Sequence, residues 1–222
     1  NISEHFHVNT DAEDQTSDPT HEDVKEMSET DKTLSLLDSR FLDTPAYAVE
    51  QSRQVASVMA DKSRKAMDLA MELLQGYDEA KAEQVAQMET DVDRFEDELG
   101  TYLVKLSSRQ LSGKDSETLN TILHCIGDFE RISDHARNVK EAAQEMYDKK
   151  LDFSDKAQDE LKVFERAVHD ILDITMNSFI KGDLNLARQV EPMEEVIDGL
   201  SLDVKQRHVR RLRKGKCTIE LG

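Results

Sequence analysis

The chain has 222 residues, enough for one medium domain or two small ones. Charged residues make up 34% and the formal net charge is −18, which argues against nucleic acid or anionic lipid as the main partner and favours cations. With 8 Gly, 3 Pro and no Trp, breakers are too sparse for a strand-and-turn sandwich, and long helices are expected.

Residues 1–31 hold ten acids against one base, Lys25, with hardly any apolar side chains. Such a segment cannot bury enough surface to offset its ordering entropy. Residues 1–33 therefore read as an acidic flexible linker in which His5, His7 and His21 are solvated. The chain starts at Asn1 rather than Met, as an excised piece of a longer protein would. Packing is expected to begin near Leu34. Thr44 suits an N-cap and Pro45 the first helical position. Apolar residues then recur at helical spacing from Val49 to Leu74, giving a first helix up to Gly76. A second helix is expected over 78–111, striped by Val85, Val92, Phe95, Leu99 and Leu103, with Ser112 to Asp115 as the turn. A third is expected over 116–148, striped by Leu119, Ile122, Ile126, Phe129 and Ala136. A fourth runs over 154–182. A fifth runs to about Arg213, with Pro192 opening its main part after a short first piece. Cys217 begins what reads as the first turn of a sixth helix. No apolar run is long enough to span a membrane. Cys125 and Cys217 form no CxxC pair and read as packed thiols of a reducing compartment.

The order suggests two halves of three helices, and short matches agree. Asp68-Leu-Ala-Met71 matches Asp173-Ile-Thr-Met176, Gly76 matches Gly182, and Met88-Glu89-x-x-Val92-Asp93 matches Met193-Glu194-x-x-Ile197-Asp198. The expected architecture is all-α: two tandem three-helix bundles, over 34–150 and 151–222, the second lacking most of its last helix.

Glu-x-x-x-Asp occurs three times, at Glu89/Asp93, Glu130/Asp134 and Glu194/Asp198. This spacing puts both carboxylates on one helix face. Each pair sits at a similar angle from its apolar stripe, so Glu89/Asp93 and Glu130/Asp134 are positioned to converge on one groove, with Glu141 on the same face of the third helix. Glu194/Asp198 would line the matching groove of the second bundle. Crowded carboxylates repel, and a cation relieves them; oxygen ligands suit Mg, Ca or Mn, and carboxylates bridge iron. The other reading is a solvated acidic face paired with Arg94, Arg131 or Arg137, and spacing alone favours it. The basic run from Lys205 through Arg207, Arg210, Arg211 and Lys214 to Lys216 reads as a solvated helix end suited to the C-terminal dipole. His135 reads as a surface residue, and His124, His169 and His208 show no pairing pattern.

The segment Asp128-Phe-Glu-Arg-Ile-Ser-Asp-His-Ala-Arg-Asn-Val-Lys-Glu141 resembles the signature helix of the PhoU family, with Ser133 in place of a small Gly. The resemblance implies two three-helix repeats, multinuclear metal sites on the Glu-x-x-x-Asp motifs and a non-enzymatic role in bacterial phosphate homeostasis. It assigns Glu89, Asp93, Glu130, Asp134, Glu141, Glu194 and Asp198 as metal ligands, for iron or another divalent transition metal such as zinc, nickel or manganese. For the first bundle it reverses the preference for a solvated face. The flanks 36–50 and 214–222 are similar to the cytoplasmic C-terminal region of bacterial sodium/phosphate cotransporters. That likeness implies a regulatory domain at the cytoplasmic face of the inner membrane, with a transporter domain as its partner in cis. The alternative in the family is a stand-alone regulator docking on a phosphate transporter and a sensor kinase. In the cotransporter branch a second signature helix would follow Gly222. Without it Glu194 and Asp198 lack partners, and the second bundle keeps an apolar groove that a homodimer would cover. A carboxylate di-iron, ferritin-like protein is the rival of another class. Such sites use Glu-x-x-His on two helices, and in the helical region no His lies three residues after a Glu.

Overall fold

A computed structural model describes residues 27–217. These fold into helices, with no strand among the described residues and none of the helices long and apolar enough to cross a membrane. Residues 1–26 of the acidic segment and 218–222 of the expected sixth helix lie outside the described residues.

Helix formation starts earlier than Leu34. Helix α1, Glu29–Leu34, is capped by the Ser28 hydroxyl, which accepts from the Asp31 amide at 3.0 Å. It buries Thr30 and Leu34 and is tied to the bundle through Asp31, which Arg94 meets at 3.1 Å. A 3-10 turn, Ser39–Asp43, follows and buries Leu42.

Three long helices make the first unit. Helix α2, Pro45–Gln75, has Pro45 in its first turn as expected, but the Thr44 side chain makes no capping hydrogen bond. Its buried stripe is mostly small: Ala48, Ser52, Ala56, Ala60, Ser63, Ala66 and Ala70. Small residues three or four apart let neighbouring helices approach closely, so α2 becomes the element on which the others pack. Ser52 and Ser63 return their hydroxyls to the carbonyls of Ala48 and Met59, which satisfies them without water. Helix α3, Glu79–Ser107, opens on Asp78, whose carboxylate accepts from the Lys81 amide. It ends four residues before the expected Leu111. Ser107 and Ser108 donate to the carbonyls of Val104 and Lys105, occupying acceptors at its carboxyl end. Helix α4, Gly113–Lys149, begins earlier than expected: Ser112 is its N-cap and accepts from the Asp115 amide, so the expected turn is its first turn. Lys150 closes it in the left-handed region, φ 55.

Helix α5, Asp155–Lys181, is capped by Ser154 and closed by Gly182 at φ 63, where glycine carries no Cβ penalty. It runs antiparallel to α2: Arg53 donates to the Ile180 carbonyl, and Gln75 bonds Glu165. Met176, buried on α5, enters the first unit's core, and Phe179 meets Phe129 edge-on at 5.0 Å between ring centres. The short α6, Leu184–Ala187, leads into α7, Val190–Arg213, with Pro192 inside its first turn. Helix α7 packs on α5 and buries no residue fully.

The core has two apolar clusters. One contains Val92, Phe95, Ile126 and Phe129; the other contains Val85 and Ala136; Ile132 packs against both. The α3/α4 groove crosses the junction between them, and Glu89/Asp93 and Glu130/Asp134 lie there.

Candidate metal centre

On α3, Val85, Val92, Phe95 and Leu99 fix the rotation of the helix by going into the core. That rotation leaves Glu89 and Asp93 at the edge of the stripe, facing α4. On α4, Ile126, Phe129, Ser133 and Ala136 are buried, which turns Glu130 and Asp134 toward α3. One carboxylate oxygen from each of Glu89, Asp93 and Asp134 can be chosen so that all lie within 4.8 Å of one another. Glu89 is buried, Asp134 intermediate and Asp93 exposed. Glu130 lies one helical turn before Asp134 on the same face of α4, and the Asp134 charge acts on it.

The electrostatics follow from this crowding. Burial, and then the charge of Asp93, push the Glu89 carboxyl above the usual carboxylate range, while Arg137 opposes the shift. Burial and Asp134 raise Asp93. Burial, Asp134 and Asp93 raise Glu130. Each of these groups holds its proton more tightly than it would alone in water, first because burial penalises the charged form and then because neighbouring carboxylates repel.

One cation is already present. Arg137 bonds Glu89 and also reaches Asp134 at 3.0 Å. It therefore bridges two of the three clustered carboxylates from opposite walls of the groove. Its side chain remains 42% exposed, which leaves it a path to solvent. The donor set is all oxygen and carries more negative charge than one guanidinium neutralises. That chemistry fits a di- or trivalent cation.

The seven sequence-assigned ligands separate. Glu89, Asp93, Glu130 and Asp134 meet in the groove. Glu141 is exposed farther along α4, near enough for its charge to act on Glu89. Glu194 and Asp198 are exposed on α7 and join no cluster of three ligating side chains among the described residues. The carboxylates Glu96 and Asp97, absent from the sequence assignment, extend the acidic seam by raising Glu130 and Asp93. Asp97 was findable as the next residue after Asp93 at i+4 spacing. Of the three arginines expected to pair with an acidic face, Arg137 alone enters the groove. Arg94 turns to Asp31 and Glu98, and Arg131 lies near Asp128. Ser133, beside Asp134, is fully buried and its hydroxyl has no partner among the described residues. His169 and His208 do have partners: His169 bonds Asp68, and His208 lies 3.6 Å from the Cys217 sulfur.

Residues 56–143, which carry the whole groove, match the family model of the PhoU domain. The chain is also similar to the phosphate-specific transport system accessory protein PhoU homolog 1 of Thermotoga maritima. The identity is 23% over 181 residues, covering 78% of this chain and 77% of that protein. No solved structure matches the chain.

Proposed function

We propose that this chain is a metal-binding regulatory domain of phosphate uptake, not an enzyme. The single observation that carries the reading is the convergence of Glu89, Asp93 and Asp134 inside the stretch that matches the PhoU-domain model. Glu89, Asp93, Glu130 and Asp134 hold the metal, and Glu141 adds charge at the rim. A bound iron, zinc, nickel or manganese ion supplies the positive charge that these carboxylates lack. Residues 34–150 form the first PhoU-like repeat and 151–222 belong to a second one, in which Glu194 and Asp198 keep the ligand pattern.

The flanks 36–50 and 214–222 support a cytoplasmic domain of a sodium-dependent phosphate transporter, acting in cis at the inner membrane. A homodimer would cover the open face of the second repeat. A second reading, a stand-alone accessory protein docking on a phosphate transporter and a sensor kinase, is favoured by the name of the Thermotoga maritima relative. A di-iron oxidase is disfavoured by the donor set, which is entirely carboxylate in the clustered site.

Elemental analysis of protein purified without chelator or affinity-tag metal tests the reading. Wild type is expected to carry stoichiometric transition metal, and Asp93→Asn/Asp134→Asn to lose it while staying folded. Metal-free wild type that takes up none of the four ions on dialysis would overturn it.

A further inference from the structure

A cleft of about 730 Å³ lies between the start of α5 and the end of α7, on a different element pair from the carboxylate groove. Its lining includes Lys156, Arg207, Arg210, Arg211, Lys214 and Lys216. Against these six cations stand Asp155, Glu160 and Asp203. Glu160 is engaged by Arg211 at 2.7 Å and by Arg207 at 3.5 Å. Lys156, Arg210, Lys214 and Lys216 have no ion-pair partner among the described residues. In a chain of net charge −18, an unneutralised cationic cleft needs a cause. The α7 dipole accounts for cations at its carboxyl end, but Lys156 lies in the first turn of α5, where a helix dipole disfavours them.

Two buried polar atoms here also lack partners. The Arg211 Nε and, along the adjoining wall, the His208 Nε2 make no hydrogen bond among the described residues. The Arg211 side chain is 15% exposed, and its guanidinium meets Glu160 in the wall of the cleft. Planar guanidinium forks beside lysine ammoniums suit phosphoryl oxygens, and the cleft has room for more than one phosphoryl group.

We infer that the α5/α7 cleft binds a soluble oligophosphate anion through Arg210, Arg211, Lys214 and Lys156. The free guanidinium and ammonium groups meet the outer phosphoryl oxygens. Glu160 competes with the anion for Arg207 and Arg211. The inference does not depend on the metal reading, because no residue is shared between the two sites.

Calorimetric titration of the full chain, freed of metal, with tripolyphosphate tests it. Binding is expected to be about ten-fold tighter than for orthophosphate and to weaken with added salt. Arg210→Ala/Lys214→Ala, at two exposed positions, is expected to weaken it by about ten-fold. Glu160→Gln, which releases two arginines, is expected to tighten it, an effect that a merely structural role would not give. Asp93→Asn/Asp134→Asn should bind tripolyphosphate as wild type does, which separates this site from the metal groove. No tripolyphosphate binding, or equal binding by Arg210→Ala/Lys214→Ala, would overturn the inference. So would capture of the protein by mixed phosphatidylcholine/phosphatidylglycerol vesicles without tripolyphosphate binding, which would assign the cleft to a lipid surface.

Discussion

Arg137 makes the carboxylate groove self-compensating. Its guanidinium supplies part of the charge that Glu89 and Asp134 require, and it does so from α4 while Glu89 sits on α3. A metal ion bound to the same oxygens must displace it, so arginine and metal compete for one position. Removing the arginine takes away a competitor and a repelling charge. Arg137→Gln is therefore expected to raise metal affinity by about ten-fold, or ~1.4 kcal/mol, measured by competition with a chromophoric chelator. A fall in affinity would mean that Arg137 orders the ligands instead. Much of this site was legible in the residues: i, i+4 pairs share a helix face, and the apolar stripes orient that face. The choice among Arg94, Arg131 and Arg137 was not legible. It depends on which side chains the opposite helix presents, and Arg94 is drawn off by Asp31, 63 residues away.

Helix boundaries followed local chemistry wherever a side chain alone caps the backbone. Asp78 and Ser154 cap α3 and α5 where the chain reads as starting a helix. Ser112 does the same for α4, but the Gly after it made the segment read as a turn. Helix α1 was hidden for another reason. Its residues are polar, and its burial of Thr30 and Leu34 exists only against the bundle. Contacts between elements carry information of this second kind. His169 on α5 bonds Asp68 on α2 at 2.8 Å, beside Arg64, which also bonds Asp68 and faces Asp173. The Asp68 bond raises the His169 pKa above its ordinary value of 6.5, and Asp170 and Asp173 act in the same direction. A raised pKa adds stability that is complete below the unfolded value and disappears as pH rises through the folded one. Because His169 is half exposed, the contribution is about a few tenths of a kcal/mol. Thermal melts of wild type and His169→Gln should therefore differ near pH ~6 and coincide near pH ~8. A gap that persists unchanged at the higher pH would exclude the charged pair.

At the scale of the molecule, burial is uneven: α2, α3 and α4 hold most of the core and α7 has no buried residue. Asp68 and Asp173 occupy matching positions and both approach Arg64. Glu89 is buried, whereas its counterpart Glu194 is exposed on α7. The short matches between 68–93 and 173–198 are legible in the residues. The exposure of α7 was not legible, because it depends on how many helices surround it. Helix α5 is joined to the first unit's core by Met176, which is 1% exposed. Met176→Ala is expected to cost about 2–4 kcal/mol in chemical denaturation, whereas Leu202→Ala at an exposed position should stay within about 0.5 kcal/mol. Equal effects at the two positions would show that α5 contributes little to the common core. The lack of a fully buried residue on α7 has a further consequence. Opening α7 uncovers far less apolar surface than opening α2, so its backbone amides visit solvent through a local excursion instead of global unfolding. The molecule unravels from α7 first, while α2, α3 and α4 keep their pairing.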